Sequence, residues 1–447
     1  MFQYYLKLAW ISIRKTPVLS LLMVLIIAVG IAASMVTYTI NYMMTQHPIP
    51  NKHDTVQLIH LSSWSSEQPY RELDGKEDAP SMMTYQDAEN LFSVHKTSSL
   101  IKHQSIIGTY RDQIRAIRQP VTDARLRSML TVNHDFFPMF DVPFLFGTAW
   151  SKQADEKGEL VAVISSKLNE QLFNGENSVG KQIMMGNLIL TISGVTDNWL
   201  PTPKFYYVRT ESFVNPRDIM IPFESQIQNE LFAKSDTRYY CVNYPTDQSF
   251  STFLASNCVW LHFWIELNSA TDLPQYNNFL NNYDAQQKQA GRFERDLASY
   301  TLNIEDYLTR ERMIPEDTKL AVWLAFSFLV VCLLNCMSLM LNKFYNKRAE
   351  VGLRRAVGAS RQNIAYQFGC ETLLISIIGG FLGLLLTKLG LLAAQNVLTF
   401  LPQQVMEMNL PLAIMALILA IVSCSIFSLW PIYKAIKVQP SSQLKSM

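Results

Sequence analysis

Residues 18–42 read VLSLLMVLIIAVGIAASMVTYTINY, without one charged side chain. About 20 apolar residues in a helix, each rising ~1.5 Å, cross the ~30 Å hydrocarbon core of a bilayer. Three further runs pass the same test: Leu320 to Leu341, Thr372 to Ala394 (broken only by Lys388), and Pro411 to Ile432. Each exceeds the length of a helix buried in a soluble core. The chain reads as an integral membrane protein with four spans. Its composition agrees, with 49% hydrophobic and only 17% charged residues, below the charged share usual for soluble domains. A net charge of +1 gives no footing for a nucleic-acid partner.

Lys7, Arg14 and Lys15 precede the first run, as in a signal peptide. The run is about twice as long as a signal peptide's apolar region, so a retained anchor is expected. Basic residues orient the spans, because loops on the cytoplasmic side collect Lys and Arg. Residues 342–367 hold Lys343, Lys347, Arg348, Arg354, Arg355 and Arg361 against the single acid Glu350, and the tail holds Lys434, Lys437 and Lys445. The loop 395–410 has neither Lys nor Arg. Both termini and the 342–368 segment are therefore expected in the cytoplasm. The expected layout is an amphipathic interfacial helix (1–17), a first span (18–43), a large extracytoplasmic domain (44–318), a second span (319–341) and a cytoplasmic segment (342–368). A third span (369–394), a short external loop (395–410), a fourth span (411–432) and a cytoplasmic tail (433–447) complete it. Phe2, Tyr5, Leu6, Trp10 and Ile13 share one face of the first of these at helical spacing, which suits a helix in the inner interface.

The inserted domain reads as α+β. Thr84 and Asp87 form a capping pair ahead of a short helix. Strand signals lie at 160–164, 188–195 and 219–223. In 259–267, Val259, Leu261, Phe263, Ile265 and Leu267 alternate with Trp260, His262, Trp264 and Glu266, the pattern of a half-buried strand. Four cysteines (Cys332, Cys336, Cys370 and Cys424) fall in or beside spans and read as small apolar residues. Cys241 and Cys258 fall outside, where the compartment is oxidising, and a disulfide between them is expected to contribute about 3 kcal/mol. Gly379 and Gly383 form a GxxxG pair suited to close helix packing, including a contact between copies.

After the second span the chain reads NKRAEVGLRRAVGASRQNIAYQF, residues 346–368. Glu350 and Arg354 are four apart in the order that supports a helix. Positive-inside charge explains the Lys and Arg here but not the Glu or the small-residue block. The segment resembles the E-[IVL]-G-[IL]-R-[RK]-A-x-G-A motif of the MacB/FtsX-type ABC transporter permeases. The matching positions are Glu350, Gly352, Leu353, Arg354, Arg355, Ala356, Gly358 and Ala359. The one-span, ectodomain, three-span layout is also that family's. Residues 132–150 and 162–195 are similar to its MacB-like periplasmic core, and residues 430–444 to its closing P-x-x-x-A…P-x-x-x-L.

The resemblance implies a permease without catalytic residues of its own, in the inner membrane of a bacterium. Its 346–361 region would contact two ABC ATPase subunits on partner chains, which would hold ATP and magnesium, with no cofactor on this chain. It would pair with a second permease copy or a paralogous permease, contact membrane lipid, and work with a periplasmic adaptor and an outer-membrane duct. ATP hydrolysis would move the periplasmic domain (mechanotransmission) and drive export or extraction of a peptide, antibiotic, toxin or lipoprotein. A large ectodomain expected in two parts favours that over FtsX-like signalling, the family's other branch. A membrane receptor or scaffold outside the family would share the layout but leave the 350–359 motif unexplained.

Residues 175–182, GENSVGKQ, imitate a P-loop up to Gln182, where a magnesium-binding Ser or Thr belongs. They lie on the outer side of the expected topology with no strand directly before Gly175. The expectation is a turn. Seven histidines show no metal-binding spacing, and no metal site is expected.

Overall fold

The structure is a computed structural model that describes residues 2–437 apart from 46–47, 74–75, 118, 200, 202, 208–216, 232–238, 248, 314–316, 398–405 and 407. The Pro440 and Leu444 end of the closing motif and most of the 395–410 loop lie outside the described residues. The chain forms two compact units, Met1–Gln46 with Ile314–Met447, and His47–Met313.

The first unit is helical. A first helix, Phe2–Lys15, stops at Thr16, and the first span, Pro17–Thr45, begins on a proline. Proline suits this position because its φ is preset and its missing N–H would be unpaired there in any case. The other spans are Asp317–Asn346, Arg361–Val397 and Leu410–Ile436. All four are long and apolar enough to cross a membrane, with the α+β domain inserted between the first and second. The third runs for 37 residues, about 55 Å, and starts eleven positions before its apolar stretch. Backbone hydrogen bonds carry a helix past the bilayer edge without any apolar signal.

Glycines bring these helices together. A Cβ on Gly379 would lie 2.9 Å from Ile27 Cγ2, and one on Gly383 would lie 3.1 Å from Ile31 Cβ. The GxxxG pair is therefore filled by the first span of the same chain, not by another copy. Gly380, on the adjacent face, meets Ala420 of the fourth span at 3.1 Å. Ser34 Oγ donates across the first and second spans to the Ala325 carbonyl at 3.0 Å.

Beside a separate two-stranded pair, Glu72–Leu73 with Lys76–Glu77, the inserted unit is built on one ten-stranded sheet. In spatial order its strands are Tyr300–Leu302, Val56–His60, His262–Leu267, Ile101–Ala116, Arg125–Val132, Ile219–Pro222, Val161–Ser165, Leu188–Thr196 and Phe144–Gly147. Gln182–Met185 adds to both Ile101–Ala116 and Leu188–Thr196. The sheet is continuous and the unit is single, so the expected two-part ectodomain is corrected. The expectation of a half-buried strand is also corrected: every residue of His262–Leu267 is buried. Phe263 and Ile265 face a core with Leu91, Tyr276 and Leu280. Trp264 faces the opposite core, with Phe136, Phe140, Phe205 and Tyr206. The 204–207 aromatics are thus core residues, and Val208 lies outside the described residues. Thr84 caps the helix Tyr85–His95, accepting from Asp87 N at 3.1 Å and donating to its carboxylate at 2.7 Å.

The P-loop-like stretch is a crossover. Ser165 caps the helix Ser166–Phe173, which ends on Asn174 and Gly175, both with positive φ. Gly180 N donates to Ile192 O at 2.8 Å, Lys181 N to Ser178 O at 2.9 Å, and Lys181 Nζ meets Glu176 at 3.1 Å. The N–H groups that would cradle a phosphate are committed to the turn. Cys241 and Cys258 are disulfide-bonded with Cα atoms 4.4 Å apart, beside paired hydrogen bonds between Tyr240 and Val259. Arg238 of the neighbouring aromatic stretch lies outside the described residues.

Candidate functional site

The 346–361 region folds as a helix between two breaks. The second span ends at Asn346, Lys347 leaves the helical conformation (φ −97°, ψ 7°), and a short helix runs Arg348–Ala356. Its end is set by Gly358, whose φ of +104° is a region that side chains with a Cβ avoid. Gly358 N then donates to Arg355 O at 3.2 Å and Ala359 N to Arg354 O at 3.0 Å, closing carbonyls the helix would otherwise leave open. Ser360 accepts from Asn363 N at 3.2 Å at the start of the third span.

This helix has a held face and a free face. Val351 and Gly352 are buried, with Val351 packed among Phe344, Ile364 and Phe368. Arg354 meets Glu350 at 2.6 Å and donates to Gln367 Oε1 at 2.6 Å, bracing the short helix against the third span. Leu353 is 61% exposed and Val357 83% exposed, and Ala356 lies open beside them. A rigidly backed helix with an apolar outer face can dock a protein surface; it holds no reacting group.

The eight motif residues therefore divide. Glu350, Gly352, Arg354, Gly358 and Ala359 shape and brace the helix. Leu353 and Ala356 face outward, and Arg355 has a partner of its own. Val357, at the motif's variable position, is the most exposed apolar residue of the segment and was not singled out from the sequence. Nor was a buried charge cluster behind the helix, where Glu371 receives Lys343 at 2.6 Å and Lys347 at 3.3 Å. The i, i+4 spacing of the two lysines and an acid one residue before the third apolar run were its only traces.

The inserted domain has a cleft of about 530 Å³. Several of its polar groups meet one another: Asp135 with Lys152 at 3.1 Å and with His103 at 3.6 Å, and Lys96 with Glu156 at 3.8 Å. Burial pushes the Asp155 carboxyl up despite bonds from His134 N and Trp150 Nε1. Among the described residues no group of three His, Cys, Asp or Glu is placed to hold a metal ion.

Residues 20–281 match the family described as MacB-like periplasmic core domain, and residues 322–440 match FtsX-like permease C-terminal. The chain belongs to the MacB/FtsX-type ABC permeases. This permease is similar to the pyoverdine export ATP-binding/permease protein PvdT of Pseudomonas entomophila strain L48. The two are 24% identical over 321 residues, 70% of this chain and 42% of that protein. It is also similar to the macrolide export ATP-binding/permease protein MacB of Bdellovibrio bacteriovorus, 24% identical over 247 residues, 54% of this chain and 32% of that protein. The permease thus spans less than half the length of these relatives. Among solved structures, the periplasmic region of MacB from Actinobacillus actinomycetemcomitans aligns with 60% of this chain and 96% of its own, at 10% identity and a TM-score of 0.37.

Proposed function

We propose that this permease is the membrane subunit of an ABC transporter in a bacterial inner membrane, with its termini and the Arg348–Ala356 helix in the cytoplasm. Two ATPase domains on partner chains hold ATP and magnesium, and no cofactor binds this chain. ATPase closure displaces the Arg348–Ala356 helix, and the spans carry that displacement to the inserted domain. A second permease, identical or paralogous, completes the membrane unit, with an adaptor and an outer-membrane duct continuing the path. The result is export or extraction of a peptide, antibiotic, toxin or lipoprotein, in line with relatives named for pyoverdine and macrolide export.

The observation that carries this reading is the braced helix with Leu353, Ala356 and Val357 turned outward. Charge placed there meets a partner and no core residue. Leu353→Asp with Val357→Asp is expected to release the ATPase from detergent-purified, affinity-tagged protein while thermal stability stays within about 0.5 kcal/mol of the parent, as for other surface changes. Parent protein that recovers no ABC ATPase, even after crosslinking in intact membranes, would overturn the reading. So would a double variant that retains the ATPase.

A further inference from the structure

One buried carboxylate gathers four helices of the membrane unit. Glu371, on the third span, and Lys343, on the second, each expose only 1% of their side chains and lie 2.6 Å apart. Ser12 of the interfacial helix donates to the same carboxylate oxygen at 2.5 Å. Lys343 also donates to Ser20 Oγ of the first span at 2.7 Å. The second carboxylate oxygen faces Lys347 at 3.3 Å, and Lys347 donates in addition to Ser12 Oγ.

Stability alone does not account for this cluster. Taking ions out of water costs several kcal/mol each, and apolar residues of similar volume commonly do as well or better. Its arrangement suits a joint. Lys347 is the single residue between the second span and the Arg348–Ala356 helix, so turning that helix moves the Lys347 backbone first. Two ammonium groups share one carboxylate, so Lys347 can withdraw while Lys343 and Ser12 keep Glu371 satisfied. Lys347 is 12% exposed where Lys343 is 1%, so the group that can reach water is the one at the break. Ser12 touches both Glu371 and Lys347, which brings the interfacial helix into the same exchange.

We infer that Glu371 is a positioning residue: it is the fixed seat that Lys347 engages and leaves as the Arg348–Ala356 helix turns, and through Ser12 it passes that movement to the interfacial helix. The inference rests on the ABC permease reading above for the source of the movement.

The test uses the full chain in lipid nanodiscs with its co-purified ATPase. Lys347→Met keeps the stem and leaves Glu371 neutralised by Lys343, so the fold should hold. Spin labels at Lys7→Cys and Ala349→Cys, both exposed and neither of them a docking residue, report the interfacial and coupling helices, since the four free cysteines are buried. With Lys347 intact, the distance distribution should be narrow and shift when a non-hydrolysed ATP analogue is added. With Lys347→Met it should broaden and no longer shift. Stimulation of ATP hydrolysis by the permease should fall roughly tenfold, inside the range of coupling between distant sites, with KM for ATP unchanged. The pair Lys343→Met with Glu371→Leu should fold with an equal or higher Tm and be uncoupled as well, a split that a merely structural cluster would not give. Normal stimulation and an unaltered distance distribution in Lys347→Met would overturn the joint, as would full coupling in the apolar pair. If no ATPase accompanies the parent protein the ABC reading fails, and the label distances in Lys347→Met still decide whether the joint exists.

Discussion

Substituting Gly379 by Ala tests how tightly the first and third spans are fitted. The added methyl would stand 2.9 Å from Ile27 Cγ2, 3.1 Å from Ile27 Cβ and 3.4 Å from Val24 O. Carbon atoms prefer about 3.5–4.0 Å, so the helices must separate by roughly half an ångström or Ile27 must leave its place. Overpacking of this size costs about 1–3 kcal/mol, and we expect about 2 for Gly379→Ala. Ile27→Ala alone opens a cavity and costs about 2–4 kcal/mol. Combined, the methyl enters space that Ile27 vacated, so the double variant should be about 1 kcal/mol more stable than the sum, as neighbouring sites couple. Gly369→Ala is the control on the same helix, because nothing lies within 4 Å of its added Cβ. There the change should stabilise by up to about 1 kcal/mol through helix propensity. Unfolding in mixed micelles by titrated denaturing detergent measures all four. Gly379→Ala within 0.5 kcal/mol of the parent, or strict additivity with Ile27→Ala, would refute the close fit of these two spans.

Gly358→Ala should loosen the Arg348–Ala356 helix locally, costing about 1–3 kcal/mol for a non-glycine residue at that φ. Nothing crowds the added atom, so hydrogen exchange should quicken over residues 354–360 while the spans keep their protection. The inserted domain should weaken in acid. Burial pushes His60 and His95 down from 6.5 to about 4 and His262 to about 3. The unfolded chain therefore takes up protons first, and the stability from neutral histidines is full above about pH 6.5 and lost as the pH falls toward 4. At 1.36 kcal/mol per pKa unit, His60 alone accounts for about 3 kcal/mol. His95→Gln, which keeps a hydrogen-bonding group near Gln104 and Tyr276, should flatten the decline of Tm between pH 6.5 and 4, and an unchanged slope would remove His95 from that account.

The four spans were legible because a bilayer demands an uninterrupted apolar length and few other structures do. Their ends were not, since polar turns such as 361–368 continue the helix without changing its hydrogen bonds. In the strand around His262 the alternation was real but its meaning was not. Trp264 and Glu266 look like a solvent face until Phe136, Phe140 and Phe205, all distant in the chain, cover one side. The 350–359 motif marked the segment that folds as the Arg348–Ala356 helix, but the division into bracing and outward residues depends on Gln367 and Phe368 lying behind it. Glu371 carries no such mark in the sequence, because its burial requires four helices to converge and single charges beside an apolar run ordinarily sit in water.

The strand Ile101–Ala116 has a consequence beyond packing. It pairs with His262–Leu267 toward one end, with Gln182–Met185 toward the other, and with Arg125–Val132 across the middle. At ~3.4 Å per residue, its 16 residues reach about 54 Å. Tension along such a strand loads its ladder in shear, where many bonds resist together and none opens first. Ile101–Ala116 is held by partners from one end to the other, so no part of it can be drawn out alone.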